Sequence, residues 1–474
     1  MIERFKKLFP EYQVYPKSLR QKEKNSFFIV RDNRQKYLVA RSGENKEIAQ
    51  FEGKNLKENF KLCYLNHNNS ELLRQTFPEF SPVSSKLKTS FGFGDRLGLA
   101  TPAHIRSVQK HPLFPIFAQQ SIREIFRTKR KMEDVMDSSI WGLLEAGYIG
   151  EWGADADHIK DIFHLKKGLK AGFSMFTIDI SDHIKNPFKM SPIEQNSYHS
   201  SIPKAKETEK FFLNKEYSIA KKSYIFTESE LKRIIITFAK GLNFVIECYR
   251  VLKASKNNFD FEISVDETEV TTAAPDHIFI VEYLRKNGVE PTSLALRFPG
   301  KFEKGIDYKG NIKEFEKSYR EHYLISQFFG NYKLSLHSGS DKFSIYPIIR
   351  RISDTFHIKT SGTSWLQAIR AIGIKNPSLY RKIYRCAVQN LEKAKVSYSV
   401  SLDLNNLPSI EALSDKGLAK LFSLPNLQQL IHITYGPILS EFREEIYRFL
   451  FLYEKEHHQL VEEHLNKHLN ILEG

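Results

Sequence analysis

Apolar positions fall into two regimes along the chain. Up to about residue 85, short extended pieces (26–30 and 36–40) sit among charged loops, and the stretch FPEFSPVSS over 77–85 reads as a linker. Beyond it, compact apolar runs of strand type alternate with amphipathic stretches of helical period. Strands are predicted near residues 91, 153, 175, 262, 295, 335, 358 and 399. Helical sequence follows each of them. Thr101 and Pro102 open one helix as cap and first turn, and Gly147, Gly288 and Gly330 close others. The polar, Lys-rich segment 186–223 interrupts the alternation and reads as an insertion.

Eight strand-then-helix units predict an α/β fold, a (β/α)8 TIM-type barrel, with a doubly wound open sheet as the alternative. The expected organisation is a small N-terminal α/β appendage over 1–85 and a catalytic barrel over 86–474, carrying the insertion at about 186–223.

In such a barrel the functional groups sit at the C-terminal strand ends. Those positions are crowded with charge and imidazole. They include Asp95 and Arg96, the run GADADH with Asp155, Asp157 and His158, and Asp179, Asp182 and His183. They continue with Asp266, Glu267 and Glu269, then Arg297, His337, His357 with Lys359, and Asp403. Imidazoles and carboxylates converging from different strands suit a divalent metal such as Zn, Mn or Ni. His158 and His337 are the expected ligands, completed by a carboxylate from Asp266, Glu267, Glu303 or Asp307, with Asp307 assigned. Asp157 and His158 are neighbours on a strand, so both reach one site only where the strand ends.

Composition narrows the classes. The chain has 474 residues, 41% of them hydrophobic and 27% charged, which is globular rather than disordered. The formal charge of +15 would suit nucleic acid, but no basic stripe is interleaved with stacking aromatics, so neither nucleic acid nor membrane is expected as a partner. Three scattered cysteines (Cys63, Cys248, Cys386) give no disulfide framework and no zinc spacing. No apolar run reaches about 18 residues and the N-terminus lacks a signal-type core, so a cytoplasmic protein is expected. GFGDRLG over 92–98 places Leu97 where a dinucleotide fingerprint has its third glycine. His457, His458, His464 and His468 read as surface positions of a charged helix. His432 in IHITYG belongs either to a further strand or to a core-facing helix.

Taken in order, GADADH, FTIDISDH, VDETEVTTAAPDH, FEKGIDY, LSLHSGSDKFSIYP, HIKTSGTSW and IHITYG resemble the tagaturonate epimerase family from about Phe91 to about Gly436. The resemblance implies a barrel enzyme of hexuronate catabolism that interconverts D-tagaturonate and D-fructuronate with a divalent metal. Related sequences act on the neutral ketohexoses tagatose and fructose. A small ketouronate or ketose is thus the expected partner, and a homo-oligomer is allowed. Strand-end position then assigns Asp157 and Asp266 as acid and base, and Arg297, Ser338 and Lys359 to the substrate. A Schiff-base aldolase built on Lys359 or Lys342 is the competing enzyme class.

Overall fold

A computed structural model describes residues 1–43, 48–213, 215–330, 332–398 and 400–473. Eight parallel strands close into a barrel: β1 (Ser90–Gly94), β2 (Phe114–Ser121), β3 (Gly153–Ile159), β4 (Met175–Asp179), β5 (Asp260–Ser264), β6 (Ser293–Ala295), β7 (Lys333–Leu336) and β8 (Phe356–Lys359). Each pairs with its sequence neighbour, and β8 returns to β1.

Seven of the strands are the expected ones, and the eighth is not. Phe114–Ser121 (FPIFAQQS) is a barrel strand, although its proline and paired glutamines read as loop. Pro115 fits because both flanking strands are parallel and it lies near the strand's start. The expected strand over 396–402 does not form. Its described residues are turn and irregular chain, and Ser399 lies outside the described residues. This segment instead carries Ser397 and Tyr398 over the barrel mouth.

A period-two pattern explains how the barrel is filled. On β5, Phe261 and Ile263 belong to the apolar core, while Asp260, Glu262 and Ser264 alternate with them. The same parity gives Asp155 and Asp157 on β3, Thr177 and Asp179 on β4, Lys333 and Ser335 on β7, and His357 and Lys359 on β8. All of these are buried. The barrel interior is therefore polar, where such barrels are usually packed with branched apolar side chains. A buried charge must be paired, and here each end of the barrel pairs its own. At the N-terminal end, Asp260 accepts from Ser84 Oγ at 2.7 Å and Ser85 N at 2.6 Å, while Lys333 Nζ donates to Ser85 Oγ at 2.8 Å and Ser90 Oγ at 3.0 Å. The segment 84–90 thus plugs the bottom.

Outside the barrel, a six-stranded sheet with antiparallel pairing spans Gln13–Val14 to Phe60–Cys63. One face packs Phe28, Val30 and Val39 against Phe5 of the helix Ile2–Leu8, and the other adds Phe27, Ile29 and Leu38 to the main core. Between β4 and β5 lie two helices, the hairpin Glu216–Ile219 with Lys222–Ile225, and the long helix Glu228–Ser255. The helices from Thr363 to Leu452 build a separate apolar cluster. The final helix, Glu454–Glu473, packs on Thr101–Val108, Tyr346–Ile352 and Thr363–Lys375. Its His457, His458 and His468 are buried, contrary to the surface expectation, because this helix is covered by barrel helices rather than lying free. Among the described residues no helix is long and apolar enough to cross a membrane.

Candidate functional site

The C-terminal ends of β3, β5, β7 and β8 bring their polar side chains to one place. Lys359 Nζ, at the end of β8, lies 2.6 Å from Asp155, 2.7 Å from Asp157 and 2.8 Å from Glu262, and 2.5 Å from Thr177 Oγ1. An ammonium has three protons, so this lysine has none left for a ligand. Burial works against its charge, yet the three carboxylates hold its pKa well above the usual lysine value. The cost falls on Asp155. Burial first, then Asp157 and Glu262, push its carboxyl up to about 6 despite Lys359.

Two histidines stand above this layer. His337, just past β7, has Nε2 2.6 Å from Glu262 Oε1. Its buried Nδ1 has no hydrogen-bond partner and faces Asp266 Oδ1 at 3.1 Å. His158 has Nδ1 2.8 Å from Asp157 Oδ1. The two rings lie 4.9 Å apart between centroids.

His158 reaches the site through a backbone device. Ala156 pairs with Phe176 and Ile159 with Ile178, so Asp157 and His158 together oppose the single Thr177. This is a bulge of one extra residue. His158 takes φ of 54°, the left-handed region that few non-glycine residues enter, histidine among the more tolerant of them. The bulge and the reversed φ allow neighbouring Asp157 and His158 to meet the same cavity, which a regular strand forbids.

His158, Asp266 and His337 each offer a ligand atom, and those atoms all lie within 4.8 Å of one another. Each imidazole is bound to a carboxylate through one nitrogen, which leaves the other to point at a common centre. Metal-ligating histidines are oriented in this way. Negative charge exceeds positive charge around the group. Burial lowers the His337 pKa, but Asp266 and Glu262 outweigh it and lift the imidazole to about 10, so the site favours a cation. Asp266 is held far below the usual carboxylate range by His337 and His158, against its own burial. The donor set of two imidazoles and one carboxylate fits a divalent metal with open positions for substrate.

Above the group lies a cavity of about 310 Å³. A neighbouring lobe of about 410 Å³ shares Arg123, Asp157, His158, Glu267, Lys304, Ser361 and Tyr398 with it. Arg297 lines the first lobe, and its guanidinium has no partner among the described residues. Ser338 accepts from Lys304 Nζ at 2.6 Å.

The sequence-predicted residues thus divide. Asp157, His158, Asp266, Arg297, Ser338, His337 and Lys359 meet at one cavity. Asp307 does not. It is exposed and accepts from Ser344 N at 3.2 Å and Ser344 Oγ at 2.9 Å, capping the turn after β7, and it is Asp266 that lies beside the two histidines. Lys359 lines the cavity with its ammonium shared among Asp155, Asp157 and Glu262. Lys342 is buried, with Nζ donating to the carbonyls of Glu303 and Ser340 at 2.9 Å and of Ile306. His432 lies on the helix Pro425–Ile433 and takes the Arg96 guanidinium on its carbonyl (2.8 Å) and Nε2 (3.0 Å), which makes it a core residue. Sequence reasoning missed Glu262, which holds His337, and Gln119, which lines the cavity. Glu262 sits mid-strand, where only its inward parity betrays it, and Gln119 lies on the unrecognised β2.

The sequence pattern of the tagaturonate epimerase family matches residues 15–472. A Thermotoga maritima protein named tagaturonate/fructuronate epimerase is 43% identical over 468 residues, which is 98% of this chain and 97% of that protein. The native and glycerol-bound crystal structures of fructuronate-tagaturonate epimerase UxaE from Cohnella laeviribosi align at a TM-score of 0.93 and 34% identity, over 99% of this chain and 98% of theirs. This chain is an enzyme of the tagaturonate epimerase family.

Proposed function

We propose that the enzyme interconverts D-tagaturonate and D-fructuronate by cleaving and reforming C3–C4, with a divalent metal held by His158, Asp266 and His337. The observation that carries the reading is the pair of imidazoles, each fixed by a carboxylate on one nitrogen and converging with Asp266 through the other.

With the ketone counted as C2, the two ketouronates differ at C4. That carbon is β to the carbonyl, so its hydrogen is not acidified and simple deprotonation cannot invert it. Retro-aldol cleavage of C3–C4 can. A base takes the C4 hydroxyl proton, the C3–C4 electron pair passes into an enediolate over C1–C3, and C4 becomes an aldehyde. The aldehyde turns its other face and the bond reforms, returning the proton. A bound metal would supply Lewis acidity to the C2 oxygen and the enediolate.

The chain's own residues account for the remaining requirements. Asp157 uses Oδ1 for His158 and Lys359, and its Oδ2 has no partner among the described residues. His158 and Lys359 hold that carboxyl well below its usual range against burial, so it is ionised and can accept a proton, as a weaker base than a free carboxylate. Glu267 borders both lobes and is the second carboxylate, replacing Asp266, which the metal group uses. Arg297 is positioned for the substrate carboxylate, which favours a uronate over a neutral ketose. The two lobes give the aldehyde fragment room to turn. A Schiff base on Lys359 is disfavoured because its amine is protonated and enclosed.

The test is turnover of tagaturonate and of tagatose by NMR, with metal content measured on the same sample. Conversion of tagaturonate to fructuronate that chelation abolishes supports the reading. Full turnover in verified metal-free protein overturns the metal assignment, and no turnover of tagaturonate overturns the substrate.

A further inference from the structure

A second His–Asp–His group lies away from the cavity. Asp341, His464 and His468 also bring ligand-type atoms within 4.8 Å of one another. It has the composition of a metal site, but its hydrogen bonds exclude one. His468 Nε2 accepts from the Asp341 backbone N–H at 2.9 Å, and His468 Nδ1 donates to the His464 carbonyl at 3.0 Å. Both ring nitrogens are used and the ring is fully buried, so it has no lone pair for a metal. His464 Nε2 lies 2.6 Å from Asp341 Oδ1.

The group instead joins two parts of the chain that are more than a hundred residues apart. Asp341 belongs to the loop 338–342 that leaves β7 directly after His337. His464 and His468 lie one turn apart on the final helix, on one face. The loop takes an unusual course, with φ of 51° at Ser338 and 62° at Asp341. Non-glycine residues in that region persist only where their surroundings over-determine them. Barrel groups supply part of the restraint: Gly339 N donates to the Lys359 carbonyl at 2.8 Å, and Ser340 Oγ lies 3.1 Å from Thr363 Oγ1. Lys304 on Ser338 Oγ and Tyr346 on the Gly339 carbonyl add to it, and the final helix holds Asp341 at both its backbone and its side chain.

We propose that His464 and His468 are positioning residues, which clasp Asp341 and so hold the loop that aims His337 and Ser338 into the cavity. The inference rests on His337 serving the site proposed above. The C-terminal helix thereby acts on the metal group without touching it, through one loop and its reversed backbone.

The test uses the full-length enzyme and Zn²⁺ competed against a chromophoric chelator, with kcat and KM for tagaturonate measured in parallel. His468→Leu strands the Asp341 N–H, whereas His468→Gln keeps an acceptor. The expected result is a 10- to 100-fold loss of Zn²⁺ affinity and a fall in kcat for His468→Leu, the size seen when groups that orient a ligand are removed. Substantial recovery is expected in His468→Gln. His464→Ala, which removes only the side-chain half, should lose less and should be non-additive with Asp341→Asn. Zn²⁺ affinity and kcat both unchanged in folded His468→Leu and His464→Ala, with only Tm lowered, overturn the clasp. If His468→Leu does not fold, His464→Ala and the Asp341→Asn cycle decide alone. Failure of wild-type protein to bind Zn²⁺ sinks the metal reading instead. In that event kcat in the same variants still judges the clasp.

Discussion

Nε2 of His337 lies 2.6 Å from Oε1 of Glu262, a contact made across the barrel interior between the end of β7 and the middle of β5. The same oxygen lies 2.8 Å from Lys359 Nζ, while Oε2 accepts from Ser293 Oγ at 2.6 Å. One buried carboxylate thus fixes the imidazole that faces the cavity and joins it to the ionic layer beneath. Replacing it by the isosteric amide leaves the shape but removes the charge that orients the ring. Glu262→Gln is expected to weaken metal binding by about 10- to 100-fold. Isothermal titration with Zn²⁺ measures this, and wild-type affinity would show that Glu262 serves only the fold.

Lys359 gives a stability prediction of the opposite kind. Its ammonium is the shared counter-charge of Asp155, Asp157 and Glu262, all nearly or fully buried. Lys359→Met keeps most of the volume and leaves those carboxylates uncompensated, which costs about 3–5 kcal/mol for a broken buried pair. Urea unfolding should record it as a large fall in midpoint. Borohydride with substrate should trap no adduct on wild-type enzyme. A covalent adduct on Lys359 would restore the Schiff-base alternative.

How much of this was legible in the sequence follows from parity and context. A charged residue at an inward position of a barrel strand is visible in FDFEIS and GADAD, yet whether it is paired depends on strands far away in sequence. Asp155, Glu262 and Lys359 come from three strands, and no local spacing announces them. Asp307 and Asp266 both looked available as ligands, and only the path of the loop after β7 separates them. FPIFAQQS hid a strand because its proline and adjacent amides read as loop, although Gln119 lines the cavity and Gln120 bonds Thr128 on the other side, while VSYSVSL alternated like a strand but ends over the mouth, where Tyr398 is covered by Arg123 and Arg127. The bulge at His158 left no signal other than the difficulty it resolves.

Acid stability follows from buried neutral histidines outside the cavity. Burial lowers His104 and His457 to about 3 and His322 and His458 to about 4, from 6.5. Below about pH 6.5 the unfolded chain binds more protons at these sites than the folded one, so stability falls as pH falls. The contribution is complete above about pH 6.5 and is lost towards about pH 3–4. The part of the melting temperature that these four histidines set should therefore be constant above about pH 6.5 and drop steeply through that window. His158→Ala, whose metal group is broken, should show the same drop. A flat acid profile in both proteins would rule the explanation out.

Arg297 separates charged from neutral substrates. Its guanidinium lines the cavity without a protein partner among the described residues, so a substrate carboxylate is the natural one. A hydrogen bond to a charged group contributes about 1.5–3 kcal/mol. Arg297→Ala should then raise KM for tagaturonate about 10- to 100-fold. Any turnover of tagatose should be left nearly unchanged. Equal losses on both sugars would place Arg297 in the fold or in the chemistry rather than in carboxylate recognition.

Isotopes at C4 distinguish cleavage from oxidation. In the retro-aldol route only C3–C4 breaks, so the hydrogen on C4 stays on its carbon while its face changes. Substrate deuterated at C4 should give product that retains the label, with at most a small secondary effect on rate. A ¹³C effect should appear at C3 and C4 when cleavage limits the rate. Asp157→Asn removes the proposed proton acceptor and should depress kcat by about 10²- to 10⁴-fold, the usual contribution of a positioned acid–base group. Added nicotinamide should have no effect, since Leu97 fills the place of a fingerprint glycine. The Glu267→Gln variant should lower kcat/KM for tagaturonate and for fructuronate by the same factor if its carboxylate serves the opposite face of the aldehyde. A large primary deuterium effect at C4 overturns carbon–carbon cleavage, because it means that the C4–H bond is broken on the way.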